Sequence, residues 1–122
     1  WYDECIALYG KFLYLSAQPD MSCEMFLDTT PGTPPSYRRD LLTKLVASGY
    51  DVEHNIMFGT DCSAHDYNAE WAQRWLRTDA EIFDSLGVPR QVQQQFLSDN
   101  VLRFFGLTEE AHTHKPLTLD GR

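Results

Sequence analysis

The sequence predicts an α/β fold in which parallel strands are covered by outer helices. Three observations predict it. Ile56-Met57-Phe58 is a short apolar run bounded by polar residues, as a strand covered on both faces requires. Met25-Phe26-Leu27 is a second such run, and a helix-like stretch, 36–48, separates the two. Strand–helix–strand is a right-handed parallel unit in nearly all proteins.

Residues 1–12 read as a helix, with Tyr2, Ile6 and Tyr9 at helical spacing. Leu13-Tyr14-Leu15 fits either continued packing or a brief strand before Gln18-Pro19-Asp20 breaks it. The first strand spans 24–30. Pro31-Gly32-Thr33-Pro34-Pro35 then rules out a continuing central strand and reads as a loop. Ser36 is the expected N-cap of the next helix and Gly49 its C-terminal stop. Tyr37, Leu41, Leu42, Leu45 and Val46 form that helix's apolar stripe, which puts Arg38, Arg39 and Lys44 mostly on other faces.

The second strand spans 54–60. A helix near 67–86 follows, with Asp66 as its expected cap, Tyr67, Trp71, Trp75, Ile82, Phe83 and Leu86 on its apolar face, and Gly87 as its stop. Pro89 opens the last helix. Asn100 falls on that helix's apolar stripe beside Val92, Phe96 and Phe104, where a buried amide is expected to bond to neighbouring backbone. Residues 108–122 are polar, lack helical periodicity and read as a tail. No repeat or internal domain boundary is visible.

The formal net charge of −8 disfavours nucleic acid, because phosphate binding needs clustered Lys and Arg. It disfavours anionic membrane surfaces for the same reason. No apolar run approaches the roughly 20 residues that span a bilayer. Cys5, Cys23 and Cys62 are odd in number and widely spaced, which suggests reduced thiols and a cytoplasmic location.

Asp61 is the leading candidate for chemistry. It stands at the C-terminal end of the second strand, where parallel α/β barrels keep their reacting groups. A carboxylate there can bind a divalent cation or accept a proton; its structural alternative is an N-cap or loop hydrogen bond. Gly59, in the second strand, allows backbone or ligand to approach closely. Asp28 and Thr30 end the first strand near the same mouth and are candidate pocket residues; loop hydrogen bonding is their alternative. His65, four residues beyond Asp61, is a candidate substrate contact. Cys62 reads as a structural thiol, since sequence proximity to His65 does not supply an oriented base. His54 precedes the second strand and reads as structural. His112-Thr113-His114 lies in the tail and reads as a chance pair.

The stretches Asn55-Ile56-Met57-Phe58-Gly59-Thr60-Asp61, Tyr67-Asn68-Ala69-Glu70-Trp71 and Asn100-Val101-Leu102-Arg103-Phe104-Phe105-Gly106 resemble, in order, the C-terminal part of an amidohydrolase-related protein. The resemblance covers about 25–107. It implies that residues 1–107 are the C-terminal portion of a metal-dependent (β/α)8 barrel, the TIM barrel, with 108–122 as its tail. A whole barrel needs roughly 250 residues, so this chain would supply two or three of the eight units, as a C-terminal fragment that begins at Trp1.

The resemblance further implies that Asp61 belongs to a metal site and shuttles protons. The ion would be Zn2+, with Mn2+ as the alternative. The family's remaining ligands, a His-x-His pair and further histidines, lie on strands that would precede Trp1. The implied parent hydrolyses an amide, ester or lactone as its small-molecule substrate. Alternatives are non-oxidative decarboxylation of an aromatic or enoic acid, and a non-catalytic truncated barrel. The fragment alone is expected to be inactive and prone to self-association.

Overall fold

A computed structural model describes residues 2–21, 23–30 and 34–107. The tail with His112 and His114, and Pro31 to Thr33 of the proline-rich loop, lie outside the described residues. Helix α1, Tyr2–Ser16, absorbs Leu13-Tyr14-Leu15, so that run is helical rather than a strand. Tyr9 anchors α1: its ring is buried, and its hydroxyl donates to the Asp51 carbonyl at 2.5 Å. Burial, helped by the Asp51 and Glu24 charges, pushes that hydroxyl's pKa up to about 12.

Strands β1 (Leu27–Asp28) and β2 (Ile56–Met57) pair in parallel, with Leu27 opposite Ile56 and Asp28 opposite Met57. Flanking bonds lengthen the ladder. Leu27 N–H donates to the Asn55 carbonyl and Thr29 N–H to the Met57 carbonyl, both at 2.9 Å. The ladder is shorter than the seven-residue strands that apolar patterning suggests, because it ends where the loops begin. Helix α2, Pro35–Ala47, connects the two strands, as expected. It starts at Pro35, not after a Ser36 cap. Proline's missing N–H and fixed φ suit the first helical position, so no side-chain cap is needed. Gly49 ends the helix at φ 75°, in the left-handed region.

Helix α3, Ala69–Ser85, packs on α2. Its cap is Asn68, whose Oδ1 accepts from Trp71 N–H at 2.9 Å. Asp66 instead closes a turn, its N–H donating to the Ser63 carbonyl at 3.3 Å. The last helical stretch has three parts: α4 (Arg90–Gln94), a π-helical turn (Gln95–Asp99) and α5 (Asn100–Phe104). Asn100 N–H reaches back five residues to the Gln95 carbonyl. The Phe96 carbonyl, passed over in this way, accepts from Phe58 N–H at 2.9 Å. Buried Asn100 adds its own clamp, donating from Nδ2 to the Glu53 carbonyl at 2.7 Å and the Ile56 carbonyl at 2.8 Å. The side of β2 away from β1 is therefore hydrogen-bonded to a helix.

The core lies between the sheet and the helices, where Leu42, Leu45, Ile56, Ile82, Phe83 and Phe96 cluster. Arg38 departs from the sequence expectation. It is only 2% exposed and belongs to this interior, not to a polar face. Among the described residues, no helix is long and apolar enough to cross a membrane.

Candidate functional site

The C-terminal ends of β1 and β2 bring together three of the residues singled out by the sequence. Asp28 Oδ1 accepts from Thr30 N–H and Thr30 Oγ1, both at 2.7 Å. Gly59 stands directly across from them: a Cβ at this position would collide with Thr30 Oγ1 and Asp28 Oδ1. Glycine is thus what allows the two strand ends to approach.

Asp61 follows two residues later. It is exposed and adopts φ 56°, the left-handed region that non-glycine residues seldom enter. Aspartate tolerates it better than most. Its carboxylate makes no hydrogen bond or ion pair among the described residues, so the N-cap or loop hydrogen bond that was its structural alternative is not made. The residue before it is held firmly: the Thr60 carbonyl accepts from Trp71 Nε1 at 2.9 Å. Cys62 Sγ lies 3.7 Å from the Thr60 carbonyl and 3.9 Å from the Asn68 carbonyl. This thiol packs among carbonyls, with no bond to a histidine among the described residues.

His65 sits in the exposed Ser63–Asp66 turn and has no bonded partner among the described residues. No contact ties it to Asp61. His54 is exposed; its backbone carbonyl accepts from Arg103 at 2.5 Å, and its Nδ1 lies 3.2 Å from Gln95 Nε2. No group of three or more His, Cys, Asp or Glu placed to hold a metal ion occurs among the described residues.

The buttress beneath this end was not anticipated. Arg38 Nε donates to Asp79 Oδ1 at 2.8 Å and Nη2 to Oδ2 at 2.5 Å. The same guanidinium donates to the Thr29 carbonyl and, at 3.0 Å, to Thr29 Oγ1, while that hydroxyl donates to the Met57 carbonyl at 3.0 Å. Arg38, Asp79 and Thr29 are all buried. One network therefore ties α2 and α3 to the residue between Asp28 and Thr30. Burial raises the Asp79 pKa, and Arg38 pulls it back only in part. A signal was present in the sequence: Asp79 is four residues after Trp75 and three before Ile82, on the apolar stripe.

No family model, curated protein or solved structure matches this chain. The case for a function therefore rests on the residues and their geometry.

Proposed function

We propose that this chain is the C-terminal portion of a (β/α)8 hydrolase of the amidohydrolase-related kind, with Asp61 as its proton-transferring carboxylate. The observation that carries the reading is the placement of Asp61. It is an exposed carboxylate with no partner among the described residues, in a left-handed backbone conformation, four residues past the C-terminal end of the parallel strand β2. Strain at a non-glycine residue is characteristic of functional positions. The parallel β1–α2–β2 order supports the same reading, as does the presence of Asp28 and Thr30 at the neighbouring strand end; the helix bonded along the other edge of β2 counts against a closed barrel, which would place a strand there.

In this reading Asp61 accepts a proton from a water as its oxygen bonds to the carbonyl carbon of an amide, ester or lactone. Asp61 then returns the proton to the leaving nitrogen or oxygen as the C–N or C–O bond breaks. Asp28 and Thr30 shape the adjoining wall, and His65 is a substrate contact from the turn. The described residues do not by themselves fit a closed Zn2+ or Mn2+ site. They offer Asp61 as a single ligand, whereas zinc sites use three or four protein ligands. Proton transfer is the part of the chemistry that this chain's own residues can carry.

A second reading, a non-catalytic barrel segment, draws support from that same incomplete donor set. Turnover separates the two. The protein encoded by the whole gene is screened against esters, lactones, amides and aromatic acids. Hydrolysis that Asp61→Asn reduces supports the enzyme, and carbon dioxide release from an acid in its place moves the reading to a decarboxylase. No turnover on any class favours the second reading.

A further inference from the structure

The φ and ψ of a residue are set once the two planar peptide units that flank it are set. Around Asp61 both units are held by other side chains. In the unit before it, the Thr60 carbonyl accepts from Trp71 Nε1–H at 2.9 Å. In the unit after it, the Cys62 N–H donates to Thr60 Oγ1 at 3.3 Å. Asp61 sits between them at φ 56°, and its own carboxylate makes no bond among the described residues. An aspartate usually supports a left-handed turn by hydrogen-bonding its side chain locally. Here the support comes from elsewhere.

Trp71 is well placed to give it. Its backbone N–H donates to the capping Asn68 Oδ1 at 2.9 Å, which fixes it in the first turn of α3. Its ring meets the Trp75 ring edge to face, with centroids 5.7 Å apart, and the Arg74 guanidinium lies over it at 5.4 Å. An indole carries one N–H and accepts nothing, so a fixed ring specifies one direction for the carbonyl it meets. We propose that Trp71 is a positioning residue for Asp61: its indole N–H, by holding the Thr60 carbonyl, keeps Asp61 in the left-handed turn with its carboxylate free to move a proton. This inference rests on the reading of Asp61 as the proton-transferring group. Trp71 acts through the Thr60–Asp61 peptide and not on the substrate.

Two measurements test it. In the 122-residue protein, NMR couplings and distances between the amide and α protons report the sign of φ at Asp61. Trp71→Phe keeps an aromatic ring and removes the N–H, and Asp61 should then lose its positive φ. Benzothienylalanine at position 71 keeps the whole bicyclic shape and removes only the donor, so the same loss is expected there even if Trp71→Phe folds poorly. Trp75→Phe removes an indole N–H that has no acceptor among the described residues, and should leave Asp61 unchanged. In the full gene product, Trp71→Phe should lower kcat roughly ten- to a hundredfold with KM little altered, because a misplacement of about 1 Å costs on that order. The same change made in Asp61→Asn should cost almost nothing more, since both substitutions remove one function. A positive φ at Asp61 retained in both donor-less variants would overturn the inference whatever the turnover. So would a loss of equal size with and without Asp61→Asn, which marks a merely structural tryptophan. Near-normal turnover in Asp61→Asn, with φ lost in the donor-less variants, would instead overturn the reading of Asp61 and leave the Trp71 bond a structural one.

Discussion

Arg38 and Asp79 illustrate how a pair of charges 41 positions apart can govern a strand end. Their guanidinium–carboxylate pairing is bidentate and buried, and Thr29 takes the remaining Arg38 donors. Removing one partner strands the other charge in the interior, which typically costs roughly 3–5 kcal/mol. Arg38→Met should therefore destabilise the protein by about that amount in urea denaturation. Arg38→Met combined with Asp79→Leu should recover most of the loss, because a well-packed apolar pair replaces a buried ionic one at little net cost.

The pH dependence has a definite sign. Burial already raises the Asp79 pKa above its unfolded value, so its stability contribution is complete at low pH and is lost as pH rises through the folded pKa. Arg38 opposes that rise, so without it the upward shift is larger. The Arg38→Met deficit should shrink when the pH is lowered from 7 towards 4. A deficit independent of pH would show that Asp79 does not titrate in this network.

At the scale of elements, the bonds between β2 and the last helix are concentrated in one turn. The π-helical register frees the Phe96 carbonyl for Phe58 N–H and places Asn100 over the Ile56 and Glu53 carbonyls. Asn100→Ala deletes two bonds and leaves buried carbonyls unpaired, so a loss of roughly 1–3 kcal/mol is expected from the denaturation midpoint. An unchanged midpoint would mean that water replaces the amide.

The role of Asn100 was legible because an amide on an apolar stripe must find backbone. The π turn was not, since nothing in 95–99 distinguishes a five-residue from a four-residue bond. Both parallel strands and the helix between them followed from apolar runs and their order. The helix starts were less legible: Pro35 displaced Ser36, and Asn68 displaced Asp66, because several polar or proline residues in each loop could begin the helix. Arg38 was read as outward-facing because periodicity alone treats a charge as solvated. Its partner lies on a different helix, beyond the reach of any local pattern. At the site, the convergence of Asp28 and Thr30 was legible from their positions at strand ends. That Gly59 allows a close approach was legible as well; that the approaching groups are Asp28 and Thr30 emerged only from the distances.

The whole molecule leaves apolar surface uncovered. Phe104, Phe105 and Leu107 are more than half exposed, with Phe26 stacked edge-on against Phe104. On the side of β1 away from β2, the backbone N–H and C=O of Asp28 pair with no backbone group among the described residues. Exposed aromatic patches and open strand edges are both routes to association. The 122-residue chain should therefore show concentration-dependent self-association in sedimentation velocity, and a single monomeric species across a hundredfold range of concentration would contradict this.

The central claim is that Asp61 is the proton-transferring carboxylate of a hydrolase, and it is tested most directly by turnover in the full gene product with and without Asp61→Asn. Asparagine keeps the shape and the tolerance for positive φ while removing the charge and the proton acceptor. General acid–base catalysis is typically worth about 10²–10⁴-fold. Turnover of an ester, lactone or amide should fall at least a hundredfold in Asp61→Asn with the melting temperature essentially unchanged, while the 122-residue chain alone should show none. Near-normal turnover in Asp61→Asn would contradict the account.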